Sequence, residues 1–228
     1  MTRVLLPLLS AILISTGAAA QAPPGAAPPD GAAYAVSYVE VAAGSKAPAI
    51  AALRQYREAS RKDDGYLHFE LFEQVGRPGH FAIVETWRDQ KALDARGPAQ
   101  KQLLSALEPI RVSGYDQRPY KTLIVATTVP APNSRAVSVV SHVDVTPDPR
   151  VAEMLKRLAE ASRKEEGSVR FDVIQHTMRA NHFTVIETWQ NQKAFDAHVA
   201  AAHTKQYRND LQPMTGSPLD ERVYTAIE

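Results

Sequence analysis

The sequence predicts an α+β protein made of two copies of one βαββαβ unit, with the two four-stranded sheets pressed together as a barrel. Three observations carry this. Residues 80–94 return as residues 182–196 at an offset of 102, with nine of fifteen positions identical. The same order of strand and helix patterns can be read in both copies. The strand that opens each repeated block is apolar on both faces, so each sheet needs cover on both sides. A repeat of about 100 residues is too long for a solenoid unit and is the size of a whole small domain.

Each element of the first copy has a local reason. Residues 34–41 are rich in β-branched and aromatic side chains and read as a strand. Residues 48–62 carry Ile50, Leu53, Tyr56 and Ala59 at helical spacing, and Gly65 supplies the stop. Residues 66–75 and 80–87 read as strands joined by a hairpin turn through Gly76, Arg77, Pro78 and Gly79. Residues 91–107 read as a helix broken near Gly97 and Pro98. Residues 119–129 close the unit as a strand.

The second copy follows the first: strand 137–145, helix 149–166 with Pro149 at its start, hairpin strands 168–177 and 182–189, helix 192–210, and strand 222–227. Ala59, Ser60, Arg61, Lys62 and Gly65 recur as Ala161, Ser162, Arg163, Lys164 and Gly167. Leu107 and Tyr120 recur as Leu211 and Tyr224 at an offset of 104, so a loop has gained two residues. The order βαββαβ is ferredoxin-like, with helices on one face of the sheet. The bare faces of the two copies can cover each other, and fusion makes that pairing intramolecular. The copies span residues 34–129 and 135–228.

The N-terminus reads as a secretory signal over residues 1–20. Arg3 precedes a short apolar stretch, and Ala18, Ala19 and Ala20 offer a cleavage site. Residues 21–33 are Pro-, Ala- and Gly-rich and read as a spacer. A periplasmic or secreted protein without a stable membrane anchor after cleavage is expected. The chain has no cysteine, which excludes disulfides and thiolate chemistry. Without Arg3 its 26 basic residues become 25, equal to the 25 acidic ones. A neutral chain with no basic stripe argues against nucleic acid as a partner.

The motif of the second copy is Glu187, Thr188, Trp189, then Gln192 to His198, with His203 and a helix end near Gln206 and Tyr207. It resembles the antibiotic biosynthesis monooxygenase family of the dimeric α+β barrel superfamily. The chain would then be a fused, pseudo-dimeric form, and a homodimer of it stays open. The first copy keeps the Glu-Thr-Trp, but Arg96 stands where His198 would be and Lys101 where His203 would be. The resemblance implies a cofactor-independent monooxygenase acting on a small aromatic or quinol-like molecule, with no metal and no bound cofactor. Such chemistry needs a base, donors for an oxyanion and a dry pocket. Its expected catalytic residues are His198, His203, Trp189 and Glu187.

The residues have other readings too. His198 and His203 are about 140° apart on a continuous helix, so they need not share a face: at most one need point into a pocket, and the other is expected at the surface. That spacing does not suit a helical zinc pair, which wants three or four. Trp189 reads as a core aromatic that seals strand against helix. Glu187 and Glu85 read either as structural ion pairs or as pocket groups. His80 and His182 are expected at the solvent edge. Three functions stay open: an oxygenase, a non-catalytic or stress-related barrel that binds a small molecule, and a structural module with a filled core.

Overall fold

In the computed structural model, residues 28, 31–126 and 133–228 are described. The expected signal, most of the spacer and part of the join between the copies lie outside those residues. The spacer's last residue, Ala33, opens the first strand instead.

The first repeat runs β1 (Ala33–Glu40), α1 (Lys46–Ser60), β2 (Tyr66–Gln74), β3 (His80–Trp87), α2 (Gln90–Ala95), α3 (Gly97–Leu107) and β4 (Asp116–Ile124). The second runs β5 (Val137–Asp144), α4 (Arg150–Ser162), β6 (Ser168–His176), β7 (His182–Trp189), α5 (Gln192–Ala200), α6 (Ala202–Leu211) and β8 (Asp220–Ala226). The expected break near Gly97 is present between α2 and α3. The expected single helix over 192–210 is two helices, because Ala201 has extended backbone (φ −61°, ψ 145°). Among the described residues no helix is long and apolar enough to cross a membrane.

All strand pairs are antiparallel, in the closed order β1-β3-β2-β8-β5-β7-β6-β4, with β4 returning to β1. Each repeat contributes four neighbouring strands. The pairs β2·β8 and β4·β6 join the two sheets edge to edge. Closure leaves no unpaired sheet edge, the usual liability of an open sheet.

The parity of the sequence sorts the two faces. Tyr34, Val36, Tyr38, Phe72, Ala82, Val84, Tyr120, Val140, Ile174, Ile186 and Tyr224 form a core inside the barrel. Phe81 and Ile83 point outward to α1 and α3, whose Leu53, Tyr56, Leu103 and Leu107 cover them. Phe183, Val185 and Trp189 point outward under α4, α5 and α6. Large aromatics therefore pack inside the barrel, and the pockets described below lie on its outer, helix-covered side. A buried ion cluster on the inner faces adds to the join: Arg170 on β6 bonds Glu70 on β2 and, at 2.5 Å, Asp172. The two repeats thus share both a core and a charge network.

The register makes Tyr38 and His142 equivalent positions, since Ala33 and Val137 pair with the equivalent Trp87 and Trp189. They meet across the pseudo-twofold axis, with Tyr38 Oη 2.6 Å from His142 Nε2. Arg118 and Arg222, also equivalent, both stand over the Tyr38 ring at 5.4 and 5.0 Å. His80 and His182 are each about a quarter exposed and face Glu40 and Asp144.

Candidate functional site

The local sequence builds the site from three segments. The first is the turn after α4. Glu165 lies there, just before Gly167, which adopts φ +82°. A side chain at Gly167 would be left-handed and would also place a Cβ 2.6 Å from that of Ala194, so glycine is required. The Gly167 carbonyl accepts from Gln190 N at 2.8 Å and ties the turn to the end of β7.

The second segment is β7, whose outward face presents Glu187 and Trp189. The third is the α5–α6 pair. Asn191 caps α5 by accepting from Ala194 N at 3.0 Å. His198 lies in the last turn of α5, and His203 lies in the first turn of α6. The extended residue between them, Ala201, cancels the rotation that a continuous helix would impose.

Both histidines therefore reach one atom. His198 Nδ1 is 2.7 Å from Glu165 Oε1, and His203 Nε2 is 2.9 Å from the same oxygen. The expectation that at most one would point inward fails here, and the break at Ala201 is the reason. The spacing argument against a helical zinc pair assumed a continuous helix, which the break at Ala201 removes. The carboxylate can only accept, so each ring donates its N–H. In the neutral rings the lone pairs then lie on His198 Nε2 and His203 Nδ1.

All four sequence-predicted residues converge. The His198 ring stacks on Trp189 at 4.5 Å between centroids and 25° between planes. Trp189 Nε1 donates to Glu187 Oε2 at 2.9 Å, and His198 Nε2 is 3.7 Å from that oxygen. Thr204 Oγ1 lies 3.3 Å from His198 Nδ1. Burial pushes the Glu187 carboxyl up to about 8 against the pull of the Trp189 N–H. Burial also pushes the His198 imidazole below its ordinary range, although Glu165 pulls the other way. Trp189, fully buried, is both the core aromatic that was expected and the platform for His198.

Sequence reasoning missed Glu165 and Thr204, and it named Tyr207 only as a helix end. Glu165 recurs as Asp63 in the first copy, and both read as ordinary charges at a helix end. Burial raises the Tyr207 phenol, and its hydroxyl has no hydrogen-bond partner among the described residues. Tyr207 and Leu158 separate two spaces. The inner one, about 20 Å³ and bordered by His198, Glu187 and Thr204, holds about one water. The outer one, about 180 Å³, is bordered by His203, Met154, Arg157 and Gln206. It adjoins a shallow groove of about 720 Å³ that shares Met154, Arg157 and Asp210 with it.

The first repeat closes the same place. Arg96 Nε donates to Glu85 Oε1 at 3.1 Å, and Tyr56 Oη donates to that oxygen at 2.8 Å. Burial disfavours charge on both partners, but each stabilises the other's charge, and a guanidinium does not give up its proton. Glu85 is thus one half of a structural ion pair, while Glu187 is a pocket group.

Solved structures share the whole architecture. A candidate monooxygenase from Fusobacterium nucleatum matches with a TM-score of 0.77 and 18% identity, over 86% of this chain and 93% of that one. A candidate monooxygenase from Lactobacillus acidophilus matches at 0.70 and 16%, over 86% and 94%. An anthrone oxidase-like protein matches at 0.69 and 12%, over 89% and 94%. At these identities the likeness is one of fold. No protein of curated function matches the sequence. The antibiotic biosynthesis monooxygenase profile matches twice, over residues 33–97 and 137–210. With one match in each repeat, covering more than half of the sequence, the chain belongs to the antibiotic biosynthesis monooxygenase family.

Proposed function

We propose that the second repeat is a monooxygenase site for a small phenol or quinol, in a protein exported from the cytoplasm. One observation supports it above the others. A histidine held by a buried-side carboxylate borders a pocket in the second repeat, where the first repeat has an arginine ion pair. Family membership supports the reaction class. The leader-like segment at residues 1–20 supports export.

The chemistry follows from the donors. The Glu165–His203 bond fixes the ring and leaves the Nδ1 lone pair to take the phenolic proton. The resulting anion passes one electron to dioxygen. The radical pair joins as a carbon–oxygen bond, and protonation gives a hydroperoxide at a ring carbon that still carries hydrogen. Loss of that hydrogen as a proton breaks the O–O bond. A phenol and dioxygen thus become a quinone and water, with all electrons drawn from the substrate. The Tyr207 hydroxyl is a ready donor for the oxyanion. His198, stacked and buried, positions Glu165.

The test is oxygen uptake by the chelator-treated, leader-free protein across a panel of reduced quinols and phenols. His203→Ala should lower turnover by about 10²–10⁴-fold, the span of a lost general base. Tyr207→Phe should lower it by about 10²-fold. Lys101→Ala, at the equivalent place in the first repeat, should match the parent. Uptake equal to the buffer control across the panel would leave the binding-protein reading in its place.

A further inference from the structure

We infer that Glu165, His198 and His203 bind a divalent transition-metal ion of the zinc class. The inference goes beyond the oxygenase reading, which runs on the substrate's own electrons. The three donor atoms, Glu165 Oε1, His198 Nδ1 and His203 Nε2, lie within 4.8 Å of one another. Two imidazoles and one carboxylate are a borderline donor set, suited to zinc and its neighbours in the transition series. Hard cations such as magnesium and calcium prefer all-oxygen shells.

Two of the three donor spacings are close to what an ion needs, and the third lies within 4.8 Å. At ligand bonds of about 2.0–2.1 Å, tetrahedral donors sit about 3.3 Å apart. The two histidine nitrogens are 2.7 and 2.9 Å from the shared oxygen. Binding needs the donors to shift around the shared oxygen and each ring to change tautomer, its proton passing from the nitrogen that faces Glu165 to the other one, so that two N–H···O bonds give way to three metal bonds. The shift is feasible because the donors sit on three separate segments, and the His203 and Glu165 side chains keep 34% and 16% of their surface exposed.

An outer-shell carboxylate stands close by, just beyond hydrogen-bond reach of His198. Ligating imidazoles are usually fixed by a carboxylate at the other nitrogen. His198 Nε2 faces Glu187 at 3.7 Å, Glu187 is anchored by the Trp189 N–H, and Trp189 holds the ring flat. The outer pocket bordered by His203 offers access for a fourth ligand, a water or a substrate oxygen. The first repeat is an internal negative: Asp63, Arg96 and Lys101 stand at the three places, and two cations repel an ion.

A metal and the base role exclude each other. A neutral imidazole has one lone pair. An ion on His203 Nε2 takes it and leaves the proton on Nδ1.

The test needs no substrate, so its failure and that of the oxygenase reading can be told apart. The leader-free protein, stripped by chelator, is titrated with Zn²⁺ by calorimetry and with Co²⁺ by visible absorption. One ion per chain should bind, with the intense ligand-field bands of a four-coordinate cobalt site. His203→Gln should weaken binding by more than the about 10–100-fold typical of a lost outer-shell partner. Glu165→Gln should do the same, and circular dichroism checks that both variants fold. His182→Gln, at a histidine far along the chain in a separate ion pair, should bind as the parent does. The inference is overturned if neither ion binds, or if the affinity survives both His203→Gln and Glu165→Gln.

Discussion

Arg96 and His198 occupy the same place in two copies of one unit, and that single difference separates a structural site from a chemical one. Arginine is permanently charged and fills the space beside Glu85 with hydrogen bonds. Histidine is smaller and can be neutral, and it leaves room beside Glu187. The loss of both histidines from the first copy was legible in the sequence. Glu165 was not, because its role depends on a helix break 36 residues later, at Ala201. A second residue-scale consequence concerns His142. Burial first, then Arg118 and Arg222, lower its imidazole to about 4 from an ordinary 6.5, with Asp116 and Asp220 opposing. Its nitrogens are engaged by Tyr38 and Thr184. Unfolded chains take the proton near 6.5 and the folded one only near 4. Stability should be whole above 6.5 and decline as the pH falls to about 4, by at most about 3 kcal/mol. Urea unfolding across that range should show a flatter decline for His142→Gln. Equal slopes for parent and variant would refute the assignment.

At the scale of elements, the two helix interruptions differ in how they are written. The break between α2 and α3 is encoded by Gly97 and Pro98, residues that end helices by their own chemistry. The break at Ala201 falls in a run of alanines, the best helix formers. Tertiary contacts override the local preference there, since both histidines gain a carboxylate partner only if the chain turns. Turn glycines are the opposite case. Gly65 and Gly167, both left-handed at φ +86° and +82°, were marked by the repeat itself. Gly167→Ala would meet the Ala194 Cβ at 2.6 Å as well as the backbone strain. It should cost about 2 kcal/mol or more and should loosen Glu165. Thermal unfolding measures the first effect. A variant as stable as the parent would show that the turn relaxes freely.

At the scale of the whole molecule, duplication and element order gave the barrel, because each copy has two apolar sheet faces and one set of helices. What the pattern left unstated is where ligand space lies. Strand parity names the residues on each face but not how tightly opposing faces fill. Tyr34, Tyr38, Phe72, Tyr120 and Tyr224 pack inside the barrel, and the pocket that His203 borders lies outside the strands, at α4 and α6. The edges matter equally. Either repeat alone would expose the flanks of two strands, which the intact chain pairs as β2·β8 and β4·β6. Residues 133–228 expressed alone should therefore associate as a dimer that restores both seams. Sedimentation equilibrium reports the mass directly, and a folded monomer would contradict the role given to the seams.

The Tyr38–His142 pair on the pseudo-twofold axis also speaks of history. In a homodimer one gene encodes both partners at such a point, so every substitution arrives twice, as tyrosine against tyrosine or histidine against histidine. An unlike pair can be inherited only after duplication has let the two copies differ. The hydrogen bond across the axis therefore dates from after the duplication. A dimer of the second half alone would restore both seams but would set His142 against His142 on its axis, without this bond.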